Sequence, residues 1–182
     1  MMRKLFLLTA VTALAVHAVY AQSQGTDSAR PLKTGQVVQL SDSLTFRVSK
    51  STKSPFTDIK VKGQAVVVVL DLDAGKKSTM LSYQLSANPK LSEIYLASGA
   101  QKIAPHAVIE DFQSWGPDND KEVEILDPTE NAAGVTLTFE RKGSVSLLFD
   151  VPVDQAKTPQ KFSIKLRTIK PTDEQHSFVV NL

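Results

Sequence analysis

Apolar residues recur at every second position along much of this chain, and that period suits strands with one buried and one solvated face. Leu44, Phe46 and Val48 alternate with Thr45, Arg47 and Ser49; Val135, Leu137 and Phe139 alternate with Thr136, Thr138 and Glu140; Phe162, Ile164 and Leu166 alternate with Ser163, Lys165 and Arg167. Residues 65–72 differ. Val66-Val67-Val68-Val69-Leu70 is apolar at consecutive positions, as expected of a central strand covered on both faces. Residues 36–40, 80–85, 94–96, 123–126 and 178–182 give weaker strand signals. No segment combines apolar residues at helical spacing over three turns with a starting cap, so helices should be few and short. One turn is expected between Pro152 and Lys161.

Glu140-Arg141-Lys142-Gly143 offers a short Gly-containing loop, so residues 135–139 and 145–151 are expected to pair as an antiparallel hairpin. Val145, Leu147, Phe149 and Val151 form its inward face, and Pro152, lacking an amide hydrogen, ends it. Many short strands divided by turn chemistry favour an all-β sandwich over an α/β layer fold, and no repeat suggests a propeller or solenoid.

The N-terminus predicts export. Arg3 and Lys4 form a positive start, residues 5–16 are apolar without interruption, and Val19-Tyr20-Ala21 places small residues before a cut that leaves Gln22 first. The apolar stretch is too short to anchor the chain in a bilayer, and no later segment approaches a transmembrane helix. Residues 1–21 are thus read as a signal peptide and residues 22–34, rich in Ser, Gly, Asp and Thr, as a flexible lead-in. Residues 35–182 are read as a single domain. The destination is periplasmic or extracellular.

Lys and Arg number 21 against 19 Asp and Glu, and Arg3 and Lys4 account for the excess, so the remaining chain is formally balanced. Nucleic acid is not expected as a partner; Lys76-Lys77 and Arg141-Lys142 read as hairpin tips. Cysteine is absent, which excludes disulfides, thiolate metal sites, a cysteine nucleophile and lipidation through an N-terminal Cys.

Three segments together carry a resemblance: Gly63-Gln64-Ala65-Val66-Val67-Val68-Val69-Leu70-Asp71-Leu72; the run from Gly134-Val135-Thr136-Leu137 through Arg141-Lys142-Gly143 to Leu147-Leu148-Phe149-Asp150-Val151-Pro152; and Phe162-Ser163-Ile164-Lys165-Leu166. They resemble the telokin-like, immunoglobulin-type sandwich domain of secreted bacterial proteins. The resemblance covers about half the exported chain, rests on structural residues, and implies an antiparallel sandwich of about 7–9 strands, with no catalytic residues to carry over. The chain departs from the family after the central strand, where Asp73-Ala74-Gly75-Lys76-Lys77 replaces an Asn-Ser-rich segment.

The exported part holds only His106 and His176, neither near a second His nor in a His-Glu-x-x-His arrangement, and both read as surface loop residues. No Gly-x-Ser-x-Gly elbow, phosphate-cradling loop or dinucleotide fingerprint occurs. The Asp118-Asn119-Asp120-Lys121-Glu122 stretch carries closely spaced oxygen donors of the kind calcium requires, with Asp118, Asp120 and Glu122 as candidate ligands. It lacks the Gly of an EF-hand loop, and the simpler reading is a turn leading into a strand. Residues 104–117 read as a long connection bearing Phe112 and the single tryptophan, Trp115. These aromatics either plug an open end of the sandwich or present a contact surface.

The sequence therefore leads to a secreted, non-enzymatic sandwich without a cofactor. It is expected to bind another protein or a cell-surface component through its loops or an exposed sheet edge, with Phe112, Trp115, Asp118 and Asp120 as candidate binding residues. A calcium-dependent or hydrolytic secreted enzyme is the alternative, and a small outer-membrane β-barrel a further one.

Overall fold

Two long strands organise the molecule. The computed structural model describes residues 29–112, 122–125, 132–170 and 173–182. Its eleven strands are β1 (Arg30–Lys33), β2 (Val37–Gln39), β3 (Thr45–Ser51), β4 (Gln64–Leu85), β5 (Ile94–Ser98), β6 (Gln101–Ile103), β7 (Ala107–Phe112), β8 (Glu122–Ile125), β9 (Ala133–Val151), β10 (Gln160–Lys170) and β11 (Glu174–Asn181). A single 3₁₀ turn, Val153–Gln155, follows Pro152 within the stretch where the sequence predicts one turn.

β4 and β9 pair antiparallel from Gln64 opposite Val151 to Leu85 opposite Ala133. The ladder breaks once, between the pairs Asp73–Lys142 and Ser78–Glu140, where residues 74–77 of β4 face Arg141 alone. Gly75 and Arg141 take the left-handed conformation there, with φ of 64° and 65°. A bulge of this kind bends a ribbon and lets its strands pass from one sheet to the next.

Residues 64–73 and 142–151 accordingly lie in a first sheet, ordered β2-β3-β4-β9-β7-β8, and residues 78–85 and 133–140 in a second. In the second sheet β10 pairs on one side with β11. On its other side it pairs with β5 along one half and β4 along the other. β6 extends β5, and β1 pairs parallel to β11, so the sheet is mixed. The strand path runs open from β1 to β8, so these strands do not close into the outer-membrane barrel considered as an alternative.

The hairpin expected at residues 140–143 is replaced by an uninterrupted β9. Gly143 does not take positive φ; Arg141 does, and it makes a bulge opposite β4 rather than a chain reversal. Lys76, Lys77, Arg141 and Lys142 thus lie at the bulge, not at hairpin tips. The connection read at residues 104–117 also contains β7, which pairs with β9 along its whole length. The eleven strands exceed the expected number because β1, β2 and β6 are short edge strands with little apolar pattern: Leu32 and Val38 are the buried residues of β1 and β2, and β6 contributes the partly buried Ile103.

The core lies between the sheets. Phe46, Val68, Leu70, Leu147 and Phe149 from the first meet Leu81, Ile94, Phe162, Ile164 and Phe178 from the second. Phe46 stacks on Phe178 at 5.4 Å between ring centroids, and Phe149 meets Phe162 edge-on at 6.1 Å. Tyr83 donates its hydroxyl to Glu110 at 3.1 Å, joining β4 of the second sheet to β7 of the first. The consecutive valines of β4 serve two faces. Val66 and Val68 enter this core, whereas Val67, with Ala107, Ile109 and Leu148, forms a second cluster on the outer side of the first sheet beneath Phe56, Ile59 and Val61.

Candidate functional site

Of the residues singled out by sequence, the described structure includes Phe112 and Glu122. Phe112 ends β7, its backbone opposite Gly143, and Glu122 opens β8 opposite Glu110. Trp115, Asp118 and Asp120 lie outside the described residues, so the loop and its calcium reading receive no geometry here. Among the described residues, no three His, Asp or Glu side chains gather as a metal site.

His176 departs from its expected place in a surface loop. It lies on β11 with its side chain turned into the core, stacked on Phe178 at 6.3 Å with nearly parallel planes. Its Nε2 is buried without a hydrogen-bond partner and stands 3.8 Å from Glu174 Oε2. Burial lowers its pKa below the ordinary histidine value, and the Glu174 charge opposes that shift. His106 is half-buried, and its backbone amide donates to the Leu148 carbonyl at 2.7 Å.

The two sheets differ in what they show to solvent. On the first, the segment carrying Phe56, Ile59 and Val61 covers part of the outer face. Two cations of this sheet meet carboxylates across the strands: Arg47 with Asp71 at 2.7 Å and Lys142 with Asp73 at 3.4 Å. On the second, alternation along β10 sends Phe162, Ile164 and Leu166 inward and leaves Lys161, Ser163, Lys165 and Arg167 on the outer face.

A groove of about 650 Å³ lies on that outer face, over the region where β9, β4, β10 and β11 run side by side, with Ser82, Gln84, Thr136, Lys165, Arg167 and Gln175 among its lining. Its depth follows from side-chain length: Gly134, Ser82 and Thr136 are short, whereas Gln84, Lys165, Arg167 and Gln175 rise around them. Glu93 fixes one side. Its backbone amide donates to the Gln84 carbonyl at 2.9 Å, its carbonyl accepts from Lys165 at 3.0 Å, and its carboxylate accepts from the Gln84 amide at 2.9 Å.

On the opposite side, Arg167 donates through Nε and Nη2 to the two carboxylate oxygens of Asp173, both at 2.6 Å. These hydrogen bonds raise the Arg167 pKa and lower that of Asp173. The groove thus offers hydroxyl, amide, ammonium, guanidinium and carboxylate groups to a polar partner. Its lining comes from separate strands whose register no local sequence pattern reveals.

No family model matches the chain, and no curated protein does. Among solved structures, it is similar to a secreted protein of Mycobacterium tuberculosis, MPT63, at 14% identity and a TM-score of 0.39, covering 86% of this chain and 100% of that one. It is also similar to part of a family 123 glycoside hydrolase from Clostridium perfringens, at 9% identity and a TM-score of 0.39, covering 66% of this chain and 21% of the enzyme. A third likeness is to the enterotoxigenic E. coli adhesin CfaE, at 11% identity and a TM-score of 0.29, covering 86% of this chain and 45% of the adhesin. These likenesses are too slight to carry an argument about function.

Proposed function

We propose that this chain is an exported, non-enzymatic binding module of the telokin-like, immunoglobulin-type sandwich class that its sequence resembles. It engages another protein or a cell-surface component through the solvated outer face of its second sheet. The observation that carries this reading is the asymmetry of the two outer faces. One is partly covered by residues 56–61, while the other holds a polar groove of about 650 Å³ lined by charged and amide side chains. A rigid sheet holds such side chains in fixed relative positions, which lowers the ordering cost of binding. Export rests on the charge, apolar stretch and small-residue cut site of residues 1–21.

The test is retention of the protein on washed cell-envelope particles from the producing cells, comparing wild type with a Ser163→Trp/Gln175→Trp variant whose substitutions point away from the core. Loss of retention at an unchanged thermal midpoint is expected. Full retention by that variant, with loss in Trp115→Ala, would move the binding site to the loop and overturn the assignment to the sheet face.

A further inference from the structure

The register of the second sheet lines up cations that are far apart in sequence. Lys102 on β6 is opposite Ala97 on β5, Ala97 is opposite Lys161 on β10, Lys161 is opposite Asn181 on β11, and Asn181 is opposite Lys33 on β1. All three lysines are exposed, and strand alternation places them on the outer face, since their neighbours Leu32, Phe162 and Val180 point into the core. They form one row across the strands. Each lysine is two strands from the next, about 10 Å at the usual strand spacing.

Among the described residues no carboxylate stands within ion-pair distance of Lys33, Lys102, Lys161 or Lys165, whereas Arg47 and Lys142 of the first sheet and Arg167 of the second pair with aspartates. Lys102 lies instead over the Tyr95 ring, at 4.4 Å from its centroid. The small or neutral Ala97 and Asn181 keep the lysines about one Debye length apart at physiological ionic strength, so their mutual repulsion is largely screened. A polymer lying along the row would meet all of them at once.

We propose that this row is a receptor surface for a linear anionic polysaccharide, whose charged sugars bind Lys102, Lys161 and Lys33 in succession. The proposal rests on the binding-face reading above and adds the chemistry of the partner. Near the row the face carries Ser163, Ser177 and Asn181, hydroxyl and amide groups suited to hydrogen bonding with sugar hydroxyls. Among the described residues the outward neighbours of the row on β5 and β11 include only Tyr95, Ala97 and Val179 as apolar groups, too little apolar area to enter the acyl boundary of a membrane. Among the described residues Tyr95 is the one outward aromatic beside the row, short of the series of aromatics on which single-stranded bases stack.

The full chain is tested against polygalacturonate, its fully methyl-esterified uncharged form, vesicles of phosphatidylcholine with phosphatidylglycerol, and a single-stranded DNA oligonucleotide. Binding to polygalacturonate, weakening linearly in log affinity against log salt, and none to the ester, is expected. The triple variant Lys33→Gln/Lys102→Gln/Lys161→Gln should lose at least about tenfold in affinity. Its salt slope should fall by about 2, from roughly 0.7 counterion released per charge for single-stranded polyanions. Lys76→Gln/Lys77→Gln at the β4 bulge should bind as wild type does.

Unchanged affinity and slope in the triple variant would overturn the proposal, as would equal binding of the ester, or tighter binding of vesicles or DNA through the same lysines. If envelope retention survives the triple variant but not Ser163→Trp/Gln175→Trp, the polysaccharide assignment fails and the binding face stands; if it survives both, both fail.

Discussion

Replacing Gly63 with Ala tests the junction that fixes where β4 begins. A Cβ at Gly63 would stand 2.1 Å from the Val151 carbonyl oxygen and 2.8 Å from its carbon, both backbone atoms at the paired end of β9. Relief requires one strand to move by about 1 Å, which is overpacking against atoms that cannot rotate away, at a cost of about 1–3 kcal/mol. The same movement pulls on Asp150, whose two carboxylate oxygens accept from the Gly63 and Lys62 amides at 2.7 and 3.0 Å. Weakening such charge-assisted bonds adds about 1–2 kcal/mol.

The total of about 2–5 kcal/mol corresponds to a fall of roughly 5–15 °C in thermal midpoint for a domain of this length. Calorimetry of Gly63→Ala beside Gly134→Ala makes the comparison. A Cβ at Gly134 meets nothing within 4 Å, and that variant should be neutral or gain about 0.4–1 kcal/mol from the stiffer unfolded chain. Equal midpoints for the two variants would refute the close-approach argument.

Acid should destabilise the fold through His176. Burial holds its pKa below that of the unfolded chain, so the contribution is complete above the unfolded value of about 6.5 and is lost as pH falls from there through the folded value. Denaturant titrations of wild type and His176→Phe between pH 7 and 5 should show the wild type losing more stability. Phe149→Ala, in the main core, should cost about 3–5 kcal/mol by urea unfolding. Phe56→Ala should cost less, since the second cluster it caps is smaller and its covering segment can settle. Arg167→Ala removes an exposed ion pair and should leave the thermal midpoint unchanged while weakening envelope retention.

The strand pattern was legible wherever a face carries three or more alternating apolar residues, as in β3, β9 and β10, because period and burial share one cause. The two-sided burial of β4 was legible for the same reason. What the pattern could not distinguish was a hairpin from a bulge. Glu140-Arg141-Lys142-Gly143 has the composition of a turn, and only the unpaired residues 74–77 of the opposite strand show that the chain bends there without reversing.

That segment of β4 is also where the sequence departs from the family it resembles. Residue type alone places His176 in a surface loop, although His176, Phe178 and Val180 alternate like any buried face. The lysine row was beyond reach in principle. Lys33, Lys102 and Lys161 become neighbours only through the register of five strands, which local periodicity does not encode.

Because the chain contains no cysteine, single thiols can be placed on either outer face without background, and their alkylation rates measured with and without washed envelope particles. Gln175→Cys reports from the groove of the second sheet, and Thr57→Cys from the segment over the first. Slowed alkylation in Gln175→Cys, with an unchanged rate in Thr57→Cys, is the expected result. Protection of Thr57→Cys alone, or of neither, would contradict the assignment of binding to the second sheet.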